Sequence, residues 1–152
     1  MMKSKIERAM LFAMQFIAMF FLFANDVHAE KVDQAPAQCQ VRNFQDFFIE
    51  FSEKVELQRK FTKVPLVKLT LVDELPEPRP VINELKNEQI TFPIIPNLIE
   101  RNQQGLSVRL STLDSENAKA VIKKADTGYL ITYIFVRFDG CWMLTRVENW
   151  SL

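Results

Sequence analysis

Histidine is nearly missing from this chain: the only one is His28, in a segment read below as leaving the mature protein. Without an imidazole, Ser-His and Cys-His catalysis lack their base and most zinc sites lack a usual ligand. The two cysteines, Cys39 and Cys141, are too widely separated to form a redox motif or a metal site. An excess of charge of one sign is missing too, with 19 basic and 19 acidic residues, so nothing points to nucleic acid or another polyanion as a partner. There is no internal repeat and no low-complexity tract, and no cofactor or metal ligand is assigned.

The N-terminus has the order of a secretory signal. Lys3, Lys5 and Arg8 precede an apolar run from Met10 to Ala24, broken only by Gln15, and Val27-His28-Ala29 supplies the small or β-branched residues that a signal peptidase reads. Cleavage is expected before Glu30, making residues 1–29 a signal peptide and placing the protein in the periplasm or secreting it. The alternative is an uncleaved anchor, for which an apolar run of about 15 residues is short against the roughly 20 that span a bilayer. The membrane would otherwise be met only through this segment before cleavage. Residues 30–152 then carry a net charge near −1, because the signal removes three basic and two acidic residues. Export would expose both cysteines to an oxidising compartment, where a Cys39–Cys141 disulfide is expected. It would close a loop of about 100 residues, worth at most about 4 to 5 kcal/mol on a chain-entropy estimate. The alternative is two thiols, with Cys141 packed as a small apolar residue.

What the chain does have is a strong hairpin. Tyr129 to Trp150 is rich in β-branched and aromatic residues and is divided by Asp139-Gly140, a two-residue turn of the kind whose glycine accepts a positive φ. An unbroken register would pair Phe138 with Cys141, Val136 with Met143, Ile134 with Thr145 and Thr132 with Val147 on one face. On the other it would pair Arg137 with Trp142, Phe135 with Leu144, Tyr133 with Arg146 and Tyr129 with Trp150. Both faces are largely apolar, so cover is expected on both.

Upstream, residues 30–40 read as a flexible leader, and 41–152 as one domain. Phe44, Phe47, Phe48, Phe51 and Val55 recur at helical spacing behind Asn43, a good N-cap, with Asp46 in the first turn. Such a stripe is the core face of a helix far more often than a ligand wall, and Ser52-Glu53 suggests a break into a second short helix. Arg59 suits a buried ion pair. Leu66, Lys68 and Thr70 alternate with Val67, Leu69 and Leu71, the pattern of a strand exposed on one face. Asp73 to Pro80 reads as an extended surface loop, and as a stiff connector before a docking ligand. A short helix is expected over Val81–Gln89, at best an edge strand over Thr91–Ile95, and a helical turn over Asn97–Arg101. Strands are expected over Leu106–Leu113 and, less clearly, Asn117–Ala125.

Helices followed by strands argue an α+β fold: N-terminal helices on a curved antiparallel sheet of about four to five strands, ending in the long hairpin. Phe44-Gln-Asp-Phe-Phe-Ile-Glu-Phe, Leu57-Gln-Arg, Pro65-Leu66 and Phe138-Asp-Gly-Cys-Trp-Met-Leu together resemble an exported, uncharacterised bacterial family of the nuclear transport factor two-like superfamily, the cone-shaped cystatin-like roll. The resemblance spans most of residues 41–152 and implies an apolar pocket between the helices and the concave sheet. That superfamily hosts isomerases, dehydratases and bare binding modules, so fold does not decide function. No carboxylate pair here matches a catalytic motif, and the His-Asp dehydratase pattern is excluded.

The candidate ligand-binding residues are Tyr133, Arg137, Trp142 and Arg146, polar groups on one predicted face of the hairpin. The ordinary alternative makes Arg137 and Trp142 a cross-strand stack, and has Arg146 pair with Glu148 or Glu84. Asp139 is a turn residue rather than a base. The favoured reading is an exported, non-catalytic binding or interaction domain, with a small apolar ligand or a protein partner and a possible homodimer. The alternatives are a small pocket enzyme for proton transfer or hydration, and an immunity or inhibitor-type protein using the Pro76–Pro80 loop. If the space between the Phe-rich helix and the hairpin is filled, both the ligand-pocket and the enzyme readings fall.

Overall fold

The computed structural model describes residues 43–152; the expected signal peptide, the expected leader and Cys39 lie outside the described residues. The described residues contain three short α-helices: α1 (Phe44–Glu53), α2 (Val55–Lys60) and α3 (Leu98–Gln104). The strands are β1 (Thr62–Val72), β2 (Arg79–Leu85), β3 (Leu106–Thr112), β4 (Asn117–Lys124), β5 (Leu130–Phe138) and β6 (Cys141–Asn149). They form one sheet in the order β2-β1-β6-β5-β4-β3. All neighbours are antiparallel except β1 and β6, which run parallel. The sheet is thus mixed and six-stranded, not purely antiparallel with four or five strands.

The additional strand is β2. Arg79–Leu85 pairs along its length with β1 where a helix was expected, and only Asn87–Gln89 forms a helical turn, of the 3-10 type. Val81-Ile82 favours an extended backbone, and at a sheet edge Pro80 forgoes its missing N–H without breaking the ladder. Thr91–Ile95 contains no strand; a cis Phe92–Pro93 bond lies within it.

Helix α1 forms as the spacing predicts. Asn43 Oδ1 accepts from the Asp46 N–H at 2.8 Å, satisfying one of the open donors of the first turn. The helix stops at Lys54, whose extended backbone lets α2 restart in a new direction. Phe44, Phe47, Phe48 and Phe51 are all buried and converge on one side chain of the hairpin. The Phe135 ring lies 5.2 Å from Phe44, 5.9 Å from Phe47, 6.4 Å from Phe48 and 5.4 Å from Phe51, mostly edge to face. Trp142 completes the cluster with an edge contact to Phe44 at 5.3 Å. Aromatic pairs in these geometries add stabilisation beyond their buried area.

The hairpin turns where expected, with Asp139 and Gly140 both at positive φ. Its register follows the unbroken one from Phe138–Cys141 to Phe135–Leu144, then shifts by one residue at a bulge, so that Ile134 pairs with Arg146 and Tyr133 with Val147. Thr145 is the extra residue. Side chains alternate with a period of two, so one inserted residue moves everything beyond it to the other face. Arg146 therefore leaves the face of Tyr133. Among the described residues, the helix-covered face is that of Tyr133, Phe135 and Trp142, opposite to the face of Cys141. Ile134, Val136 and Met143 on the opposite face are half-buried, and Phe138 is exposed.

Because Phe135 is the point where four helix rings meet, Phe135→Ala should cost about 3 to 5 kcal/mol. The check is the denaturant midpoint, which falls with an unchanged slope; a loss below about 1 kcal/mol would show that the helix packs elsewhere.

Candidate functional site

The pairing of β1 with its neighbours decides which of its side chains face inward. Lys68 is level with Val147, and Leu66 with Leu85, whereas Val67 and Leu69 are level with Arg146 and Glu148. The row Leu66-Lys68-Thr70 thus shares the concave face with Tyr133 and Val147. The more apolar row Val67-Leu69-Leu71 points to the other side, opposite to what the alternation alone suggests.

The concave face is divided between two environments. Its hairpin-tip half is filled by the phenylalanine cluster. The other half is roofed by residues 89–95, and between roof and sheet lies a cavity of about 220 Å3. Its walls include Leu66, Lys68, Ile90, Ile94, Tyr133 and Val147, and Gln89, Thr91 and Asn149 also border it. Among the described residues, no carboxylate, cysteine or histidine does.

Beyond Gln89 the roof has no helix or strand, so its backbone groups need other partners. Gln58, 1% exposed, supplies them: its Oε1 accepts from the N–H of Ile94 at 2.7 Å and of Ile95 at 3.0 Å, while its Nε2 donates to Ile95 O at 2.9 Å. One amide side chain so acts as a stretch of partner strand. Tyr133 Oη donates to Ile94 O at 3.3 Å, and Arg101 Nη1 donates to Pro96 O at 2.5 Å. Arg101 is itself buried, with Glu53 at 3.9 Å and the Phe48 ring 5.9 Å away. Burial pulls its pKa down, against the opposing pull of Glu53. Glu53 also accepts from the N–H of Leu98 at 2.8 Å, and Asn97 and Glu100 cap α3 reciprocally.

The four candidate residues do not converge. Tyr133 lies in the interior beside the cavity, and burial pushes its phenol well above its usual range, with Tyr129 adding to the shift and Arg101 opposing it. Arg137 and Trp142 pair across the strands near the hairpin tip, the guanidinium 5.5 Å from the indole, and Arg137 Nε donates to Gly140 O at 3.1 Å. The Trp142 Nε1–H is buried without an acceptor among the described residues. Arg146 sits on the far face. Its Nε approaches Glu148 Oε1 at 2.8 Å, an ion pair whose N–H is poorly aimed for a hydrogen bond. Arg59, expected in a buried ion pair, instead lies exposed over the Phe92 ring at 4.5 Å.

No protein-family model matches the chain, and no curated protein does. Among solved structures, the chain superposes on an NTF2-like protein from Bacteroides fragilis with a TM-score of 0.53 and 19% identity, over 74% of this chain and 49% of that one. The fold is NTF2-like. The chain spans about half the length of that protein, so the NTF2-like likeness concerns architecture alone.

Residues that sequence reasoning passed over are Gln58, Lys68, Gln89 and Asn149. Only Lys68 left a trace, as the charged member of an otherwise apolar strand. Tyr133 yields a pH-dependent test. Its folded-state pKa is raised, so its contribution to stability is complete below the unfolded value near 10 and is lost as pH rises beyond it. Stability measured by denaturant should fall from about pH 9 to about pH 11, and Tyr133→Phe should flatten that fall while costing about 0.5 to 1.5 kcal/mol at neutral pH. An equally steep fall in the variant would locate the titration elsewhere.

Proposed function

We propose that this is an exported, non-catalytic binding domain whose site is the cavity under residues 89–95. The observation that carries this reading is the division of the concave face. The space between α1 and the hairpin is filled, which removes a pocket at that position, while the neighbouring half keeps a walled cavity. Apolar side chains joined by a few polar ones are the usual makeup of a small-molecule site. At about 220 Å3 it is smaller than the roughly 300 to 1,000 Å3 of drug-sized sites, so its ligand is small.

Binding is favoured over proton transfer by the lining. A general base needs an acid–base group within reach of the reacting proton, and the Tyr133 hydroxyl, committed to Ile94 O with its pKa raised, is ill suited to deprotonation. Of the four predicted binding residues, Tyr133 belongs to the proposed site.

Export to the periplasm or beyond, through cleavage before Glu30, belongs to the same reading, as does the Cys39–Cys141 disulfide. A second reading, an inhibitor-type contact through the proline-rich loop, draws support from Leu75, 95% exposed between Glu74 and Pro76.

Titration with 1-hexanol tests the cavity. Methyl resonances of Ile131 and Val147 should shift, and Ile131→Phe, which fills the space, should abolish the shift while leaving the fold intact. Unshifted cavity methyls at saturating alcohol would overturn the binding reading.

A further inference from the structure

Lysine is out of place on the inner row of β1. A strand gains most by turning its apolar residues toward the core, yet here Val67, Leu69 and Leu71 face away and Lys68 stands on the concave side between Leu66 and Thr70. Local pattern and global fold disagree at this position, and such disagreements concentrate where function overrides packing.

The surroundings of Lys68 explain neither its charge nor its place. The acids beside it in the sheet, Glu84 and Glu148, are level with Val67 and Leu69 and so project to the opposite face. No ion pair or hydrogen bond engages its ammonium among the described residues. It is half-buried at the cavity wall, with no acidic partner among the described residues.

Two amides at the same wall are oriented by their bonds. Gln89 Oε1 accepts from the Lys86 N–H at 2.8 Å, and Asn149 Oδ1 accepts from the Ser151 N–H at 3.0 Å. Each oxygen is thereby turned toward the backbone, and each NH2 is left as a donor without an acceptor among the described residues. An ammonium and two amide donors around an apolar space, with no carboxylate in the lining, favour an acceptor-only, negatively charged group.

We infer that the cavity takes a short-chain carboxylate, with its head group at Lys68, Gln89 and Asn149 and its alkyl chain against Leu66, Ile131 and Val147. This rests on the binding reading above. The volume of about 220 Å3 corresponds to about seven waters at ~30 Å3 each, room for roughly six to eight non-hydrogen atoms. Hexanoate is of that size.

The experiment compares hexanoate, 1-hexanol and hexylamine on the full chain, reading backbone amide shifts of residues 66–68 and 147–149 and the affinity of each. Hexanoate should bind at least tenfold tighter than either analogue. Lys68→Met should bring hexanoate down to the level of the alcohol and leave the alcohol unchanged, which also shows the variant folded. If the alcohol binds as well as hexanoate, or the amine binds tighter, the cavity is a binding site but the carboxylate assignment is wrong. If none of the three moves these amides, the cavity reading fails and this inference with it.

Discussion

One buried amide holds the roof of this protein in place. The segment from Ile90 to Asn97 crosses the concave face without helix or strand, and an unpartnered buried backbone group costs about 1 to 3 kcal/mol. Gln58 meets that demand at two consecutive residues, with its oxygen serving two N–H groups and its nitrogen one carbonyl. A side chain with both donor and acceptor on one planar group is needed; glutamate would lack the donor and leucine both. The roof is held at Ile95 by these hydrogen bonds and by the burial of Ile90 and Ile95 in the core, and the cavity lies beside those anchor points.

The two halves of the concave face follow from how α1 is used. Its four phenylalanines all pack on Phe135, with Phe44 also on Trp142 and Phe47 also on Phe61, and none of them lines the cavity. Tyr133 lies at the boundary, its ring in the core cluster and its hydroxyl on the roof. The bulge at Thr145 contributes from the other side of the sheet. By shifting β6 one residue, it brings Val147 and Asn149 to the cavity and sends Arg146 out to Glu148. A continuous register would have put a guanidinium into the apolar interior.

Much of the architecture was legible in the sequence because it is written in short-range periodicity. The helical spacing of the phenylalanines, the Asp139-Gly140 turn and the alternation of Leu106–Leu113 each reflect neighbours within a few residues. What failed was set by distant partners. Val81–Leu85 becomes a strand because β1 offers it an edge, and the inward row of β1 is chosen by its parallel pairing with β6, neither of which local pattern contains. The bulge depends on fit across two strands, so the quartet of Tyr133, Arg137, Trp142 and Arg146 was assembled on a register that held only near the turn. The role of Gln58, though it lies in the Leu57-Gln-Arg motif, was hidden for a related reason: its partners lie 36 and 37 residues away, and its charged neighbour Arg59 ends at the surface.

The central claim is that Gln58 suspends the roof over an open cavity, and amide hydrogen exchange at Ile94 and Ile95 tests it most directly. Both amides lie in irregular chain and donate to Gln58 rather than to a backbone carbonyl among the described residues, so the variant isolates what the side-chain bonds contribute. Protection comparable to the central amides of β5 is expected, lost selectively in Gln58→Met while the β5 amides stay protected. Exchange of Ile94 and Ile95 at rates typical of an exposed loop in the unaltered protein would contradict it.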